Sequence, residues 1–180
     1  MLKLDIEVGY AACSLLCATV GAVYDVTTRR IPNAFTLPAI LFGLLLHFTL
    51  GGWRQLGTAA AAGLSCGLIF LVFHLAGGMG GGDVKLITAV GCIAGLSLIH
   101  PLLILTSLTG GVMAIGLALY HRRLKETMRN VCALTVYHGT AGLTPHPEFN
   151  IDNAQTLRLP YALAIAAGSG LSLCPLIVQR

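Results

Sequence analysis

Long apolar stretches alternate with short polar ones along this chain. The stretches about Val8–Tyr24, Phe35–Leu50, Gly57–Ala76, Val84–Ile99, Leu102–Tyr120 and Leu159–Val178 are almost free of charge. A helix needs about 20 apolar residues to cross the hydrocarbon layer. The pattern therefore predicts an all-α polytopic membrane protein, a bundle of about six transmembrane helices in one domain, 1–180. The fourth span is the shortest. His100-Pro101 is expected to divide it from the fifth, because proline ends or kinks a helix. Pairs of glycines four apart, Gly63/Gly67 and Gly91/Gly95, suit close helix packing in lipid. One long polar loop, about 121–158, separates the fifth and sixth spans. It opens with the basic stretch HRRLKETMRN, which is expected to lie along an anionic leaflet, and continues through GLTPHPEFN as turn and coil.

Composition agrees with this reading. The chain is 56% hydrophobic and only 10% charged, against about 25% charged in ordinary soluble domains. The Lys and Arg side chains have no soluble face on which to gather, so no nucleic-acid partner is expected. Their distribution gives an orientation instead. Arg29, Arg30, Lys85, Arg122, Arg123, Lys125, Arg129 and Arg158 fall in the odd-numbered loops, while Lys3, Arg54 and Arg180 fall on the other side. The positive-inside bias then puts the odd loops in the cytoplasm and both termini outside. Asp5 and Glu7 before the first apolar run speak for a retained span rather than a signal peptide. The six cysteines form no CxxC pair, and all but Cys132 lie in apolar runs, where a thiol packs as a small hydrophobe. The six histidines are scattered. His138, His146 and Asp152 share a loop at a spacing that matches no metal-ligand pattern, so neither metal nor cofactor is expected.

The acidic residues change the picture. Tyr24–Asn33 reads YDVTTRRIPN and Gly77–Leu86 reads GGMGGGDVKL. Asp25 closes the first span and Asp83 opens the fourth, and both abut spans on the cytoplasmic side. Separately they read as a solvated residue at a membrane border and as a helix N-cap. Together they are a same-side pair of ionisable groups at membrane depth, where charge is costly and usually functional. Two carboxylates can divide the work of hydrolysis, one as base on a water and one as acid. Helix dipoles would favour an ionised Asp83 at a helix start and a protonated Asp25 at a helix end. Gly80, Gly81 and Gly82 leave room for an extended substrate to approach the backbone, or else serve as a flexible linker. Lys85 tunes the pair or holds a backbone carbonyl, or else snorkels to headgroups, as Arg29 and Arg30 do. Pro32 starts the next helix, and Asn33 offers hydrogen bonds at the turn, with contact to substrate left open.

These two regions, in this order, resemble the signatures of prepilin peptidases, the type IV leader peptidases, membrane aspartic proteases of the GxGD type. The GxGD element corresponds to Gly80-Gly81-Gly82-Asp83. LPYALAIAAG, Leu159 to Gly168, resembles the closing helix of small members that serve Flp-type pili. The resemblance implies that Asp25 and Asp83 form a catalytic dyad. It also implies cleavage of the short basic leader from prepilins or pseudopilins at the cytoplasmic face of the bacterial inner membrane, beside the pilus or secretion machinery. Larger members carry a cysteine-rich insert with CxxC pairs and N-methylate the product. Without such pairs, methyl transfer with S-adenosylmethionine is not expected. Three other readings compete. One is a transporter or channel component using the acids as a proton relay. Another is a structural subunit of a secretion system. The third is a related GxGD enzyme acting on an archaeal preflagellin.

Overall fold

The computed structural model describes residues 2–142 and 159–178. Six helices follow one another: α1 Leu2–Thr28, α2 Asn33–Leu75, α3 Gly81–Ala94, α4 Ile99–Tyr120, α5 Leu124–Ala141 and α6 Tyr161–Val178. Among the described residues there is no strand. Three helical stretches, Leu4–Thr28, Asn33–Leu75 and Ile99–Tyr120, are long and apolar enough to cross a membrane. The protein is an all-α polytopic membrane protein.

The short α3 is the centre. Leu86, Ile87, Ala89, Val90, Cys92, Ile93 and Ala94 on it are all buried. A helix apolar on every side must be enclosed by other helices. At 14 residues it is about 21 Å long, less than the hydrocarbon thickness of about 30 Å.

α2 encloses α3 by folding back on itself. Gly52 interrupts it with φ 66° and ψ −159°, dihedrals that glycine adopts without the Cβ penalty. On the first arm, Asn33 bonds Lys85, a Cβ on Gly43 would meet the Ile93 nitrogen at 2.8 Å, and His47 reaches the Ile93 carbonyl. This arm runs parallel to α3. On the second arm, Gly63 abuts Cys92, Gly67 abuts Thr88, and the His74 ring stands over Gly81, so it runs antiparallel. The expected second and third spans are thus one helical hairpin that reverses at a glycine. The expected Gly63/Gly67 packing is present, with α3 as the partner.

α1 is antiparallel to α3, because Gly21 near its end touches Leu86. α6 lies on α1 through Gly170 and Leu15 and on α4 through Gly168 and Thr106. The Thr109 hydroxyl also donates to the Ala164 carbonyl at 3.0 Å.

One expectation is corrected. The break between the fourth and fifth spans lies at Gly95, not at His100-Pro101. Gly95 caps α3 with φ 73°, while Pro101 sits in the first turn of α4, where its missing N–H costs no helical hydrogen bond. Gly95 therefore does not join Gly91 in a packing pair. The basic stretch after α4 leads into α5, Leu124–Ala141, while the expected turn and coil from 143 onward lie outside the described residues. Glu148, Asp152, His146 and Arg158 lie outside the described residues.

Candidate active site

The end of α1 is built to stop just after Asp25. The Thr27 and Thr28 hydroxyls donate back to the carbonyls of Val23 and Tyr24. The Arg29 N–H bonds the Asp25 carbonyl at 2.9 Å, and Arg29 takes φ 52°, a left-handed stop of the kind that ends helices. The chain then turns inward. Ile31 is buried, and Pro32 precedes α2 in extended conformation. Asp25 is left half-buried on the last turn of α1.

The start of α3 is built by glycines. Gly77, with φ 79°, turns the chain. The Gly77 and Gly78 N–H groups bond back to His74 and Phe73. Met79 is buried, and its carbonyl faces His74 Nδ1 at 2.8 Å. Gly80 is the N-cap, and Asp83 stands three residues on, in the first turn. Asp83 is therefore not the cap. Its carboxylate reaches back to the Gly80 N–H, half of the reciprocal arrangement seen in capping boxes. A Cβ on Gly80 would stand 3.3 Å from Asp83 Oδ2, so the glycine gives the carboxylate its room.

Asp83 is only 8% exposed, and its Oδ1 has no hydrogen-bond partner. Burial pushes its carboxyl up to about 7, the nearby Asp25 charge adds to the rise, and the Gly80 N–H opposes it. The two predicted aspartates thus come together from α1 and α3 at one end of the bundle. The rise at Asp83 runs against the assignment of roles from helix dipoles. The N-terminal dipole favours an ionised Asp83 by a modest amount, but desolvation of a buried carboxylate is the larger effect. Burial thus raises the Asp83 carboxyl against the direction its helix dipole sets.

The other predicted residues surround the dyad. Gly82 lies against Ile31, where a Cβ would come within 3.3 Å of the Ile31 Cβ. The glycine segment is thus a packed element with its own backbone hydrogen bonds, not a slack linker. Lys85 Nζ donates to Asn33 Oδ1 at 2.8 Å, joining α3 to the first residue of α2. The pair clamps the frame. Sequence reasoning missed Tyr161. It opens α6, is half-buried against the core, and its hydroxyl lies within electrostatic reach of Asp83. The motif around it was legible, but its proximity to Asp83 depends on helix packing. No group of three or more potential metal ligands occurs among the described residues.

The family model described as the type IV leader peptidase family matches residues 12–115, a segment that contains Asp25, Asn33, the glycines, Asp83 and Lys85. The chain is similar to proteins named prepilin leader peptidase/N-methyltransferase. It is 36% identical to that of Aeromonas hydrophila over 102 residues, covering 53% of this chain and 35% of the relative. It is 40% identical to that of Neisseria gonorrhoeae over 98 residues, covering 51% and 34%. For Dickeya chrysanthemi the identity is 37% over 95 residues, covering 49% and 34%. The matched segment thus spans about a third of the length of these curated relatives. No solved structure matches the chain.

Proposed function

For a chain that belongs to the type IV leader peptidase family, we propose the activity of a membrane aspartic endopeptidase that removes the short leader from prepilins or pseudopilins. One observation carries this reading: a buried carboxylate at the start of α3 lies near a second at the end of α1, close enough for the Asp25 charge to raise the Asp83 carboxyl. Like charges at this range favour a pair that shares a proton.

The chemistry follows from the unequal environments. A water held between the carboxylates gives its proton to ionised Asp25 while its oxygen attacks the scissile carbonyl carbon. Protonated Asp83 gives its proton to the carbonyl oxygen, forming a neutral tetrahedral diol. On collapse the diol returns a proton to Asp83, the C–N bond breaks, and the amine leaves with the proton held on Asp25. Each carboxylate ends as it began. Gly80, Gly81 and Gly82 put bare backbone beside the reacting atoms, where an extended peptide can lie close. The Lys85–Asn33 clamp holds the start of α2 against the start of α3.

The excess of Lys and Arg in the odd-numbered loops supports a dyad at the cytoplasmic face of the bacterial inner membrane, with both termini on the opposite side. There the cut would fall between a substrate's basic leader and its apolar segment, with the pilus or secretion machinery as onward partner. The comparisons give the transporter reading no support, and both acids lie at helix ends rather than midway along them. Methyl transfer, the second activity in the relatives' name, is not part of the proposal, since the chain has no CxxC pair.

The test is cleavage of a prepilin by the purified protein in proteoliposomes, followed by gel mobility and mass of the product. Asp25→Asn and Asp83→Asn should each lower the rate by about 10²–10⁴-fold, the usual worth of a positioned acid or base. Normal processing by both variants removes the reading.

A further inference from the structure

Tyr161 belongs to the site although nothing in the chemistry above uses it. The helix register places it there. Gly170 of α6 packs on Leu15 of α1, and the start of α6 lies toward the end of α1, within reach of the Asp83 charge. Nine residues back along α6 and nine forward along α1 lead to Tyr161 and Tyr24, because both helices rise by about 1.5 Å per residue. Tyr161 is therefore level with the last turn of α1, which carries Asp25. From the α3 side, the Asp83 charge acts on the Tyr161 hydroxyl. The ring is half-buried against the core, and the adjoining Ala162 is fully buried, so the side chain is held in place.

The donor inventory gives this position its meaning. A tetrahedral diol or its oxyanion-like transition state needs hydrogen-bond donors around the carbonyl oxygen, and two carboxylates supply chiefly acceptors. Lys85 is exposed and held at the start of α2 by its 2.8 Å bond to Asn33. The His74 ring is engaged through Nδ1 by the Met79 carbonyl. Arg29 and Arg30 lie exposed on the turn after α1. The Tyr161 hydroxyl lies within reach of the Asp83 charge and makes no hydrogen bond of its own among the described residues.

We infer that Tyr161 is a third catalytic residue of the site, its O–H donating to the scissile carbonyl oxygen as the carbon becomes tetrahedral. This rests on the leader-peptidase reading and goes beyond the aspartate pair. No proton is transferred. The hydroxyl keeps its hydrogen, and the bond strengthens as negative charge gathers on the oxygen.

The experiment is steady-state cleavage of a prepilin in proteoliposomes by wild type, Tyr161→Phe and Asp83→Asn, with thermal unfolding measured alongside. Tyr161→Phe keeps the ring and its packing. It should lower kcat at least about tenfold while KM stays within a few-fold, the pattern of an interaction made only in the transition state. Should the Phe variant unfold early, Tyr161→His and Tyr161→Leu decide the matter. A donor role predicts partial recovery with His alone, and equal loss in both overturns it. Unchanged kcat in Tyr161→Phe, or a change confined to KM, also overturns it. An active Asp83→Asn ends the protease reading itself. An inactive Asp83→Asn beside a fully active Tyr161→Phe ends only this inference.

Discussion

Ile31 lies against Gly82, with only 3.3 Å between its Cβ and the place where a Cβ on Gly82 would stand. The turn that ends α1 is thereby seated on the helix start that carries Asp83. Asp25 is on α1 and Asp83 follows Gly82 directly, so the spacing of the two carboxylates should follow this contact. Gly82→Ala must push Ile31 aside by a few tenths of an ångström, and Gly82→Val by more. Cleavage should fall moderately in the first and severely in the second, with the protein still folded. Ile31→Ala in the Gly82→Ala background should restore much of the rate, because neighbours in contact are not additive. A double variant no better than Gly82→Ala would show that the turn does not set the spacing.

The 2.8 Å bond from Lys85 to Asn33 leads to a different expectation. Both side chains lie toward solvent, so the stability at stake is small. The effect should appear in the rate. Lys85→Met and Asn33→Ala should each slow cleavage a few-fold, and the double variant should be no slower than either alone, the mark of one shared interaction. Additive losses in a double-mutant cycle would mean that the two residues act separately.

The aspartate pair was legible in the sequence because topology alone restricts which acids can meet. Only Asp25 and Asp83 adjoin apolar runs on the same predicted side. Which of them holds the proton was not legible. That depends on burial, and burial depends on α2 wrapping α3, which no local pattern announces. The two arms of α2 were legible as two spans because the apolar runs on either side of Gly52 have ordinary lengths. Its reversal at a single glycine is a matter of φ and ψ. Proline at 101 drew attention from Gly95, since a proline is a visible breaker while a glycine ends a helix only when its dihedrals turn positive. α5 was hidden by its polar residues. Tyr161 was hidden by distance in sequence, since its partners are on α1 and α3.

Burial pushes the Asp83 carboxyl up to about 7, and the proposed role of Asp83 as acid fixes the sign of the pH dependence. Below that value the carboxyl holds the proton that the carbonyl oxygen must receive. Above it, the proton is lost and a second negative charge faces Asp25. The value of kcat/KM should therefore fall as pH rises through about 7, by about tenfold per unit once the group is ionised. The measurement is cleavage across about pH 6 to 9 on protein shown to stay folded over that range. A flat profile there would remove Asp83 as the general acid.

Gly95 bears on stability rather than on chemistry, because it lies at the end of α3 away from the dyad. Its φ of 73° and the His47 ring make separate demands: a Cβ there would come within 2.6 Å of His47 Cε1. His47 is itself fixed, stacked on Tyr10 at 4.1 Å and facing the Ile93 carbonyl at 3.1 Å through Nε2. Gly95→Ala should thus cost about 1 kcal/mol for the left-handed backbone and more for the displaced ring. The unfolding temperature in detergent should drop. His47→Ala added to Gly95→Ala should recover only the steric part, since the backbone cost remains in the double variant. Full recovery would show that crowding by the ring was the whole effect, and no drop in Gly95→Ala would mean that the turn after α3 can be remade without glycine.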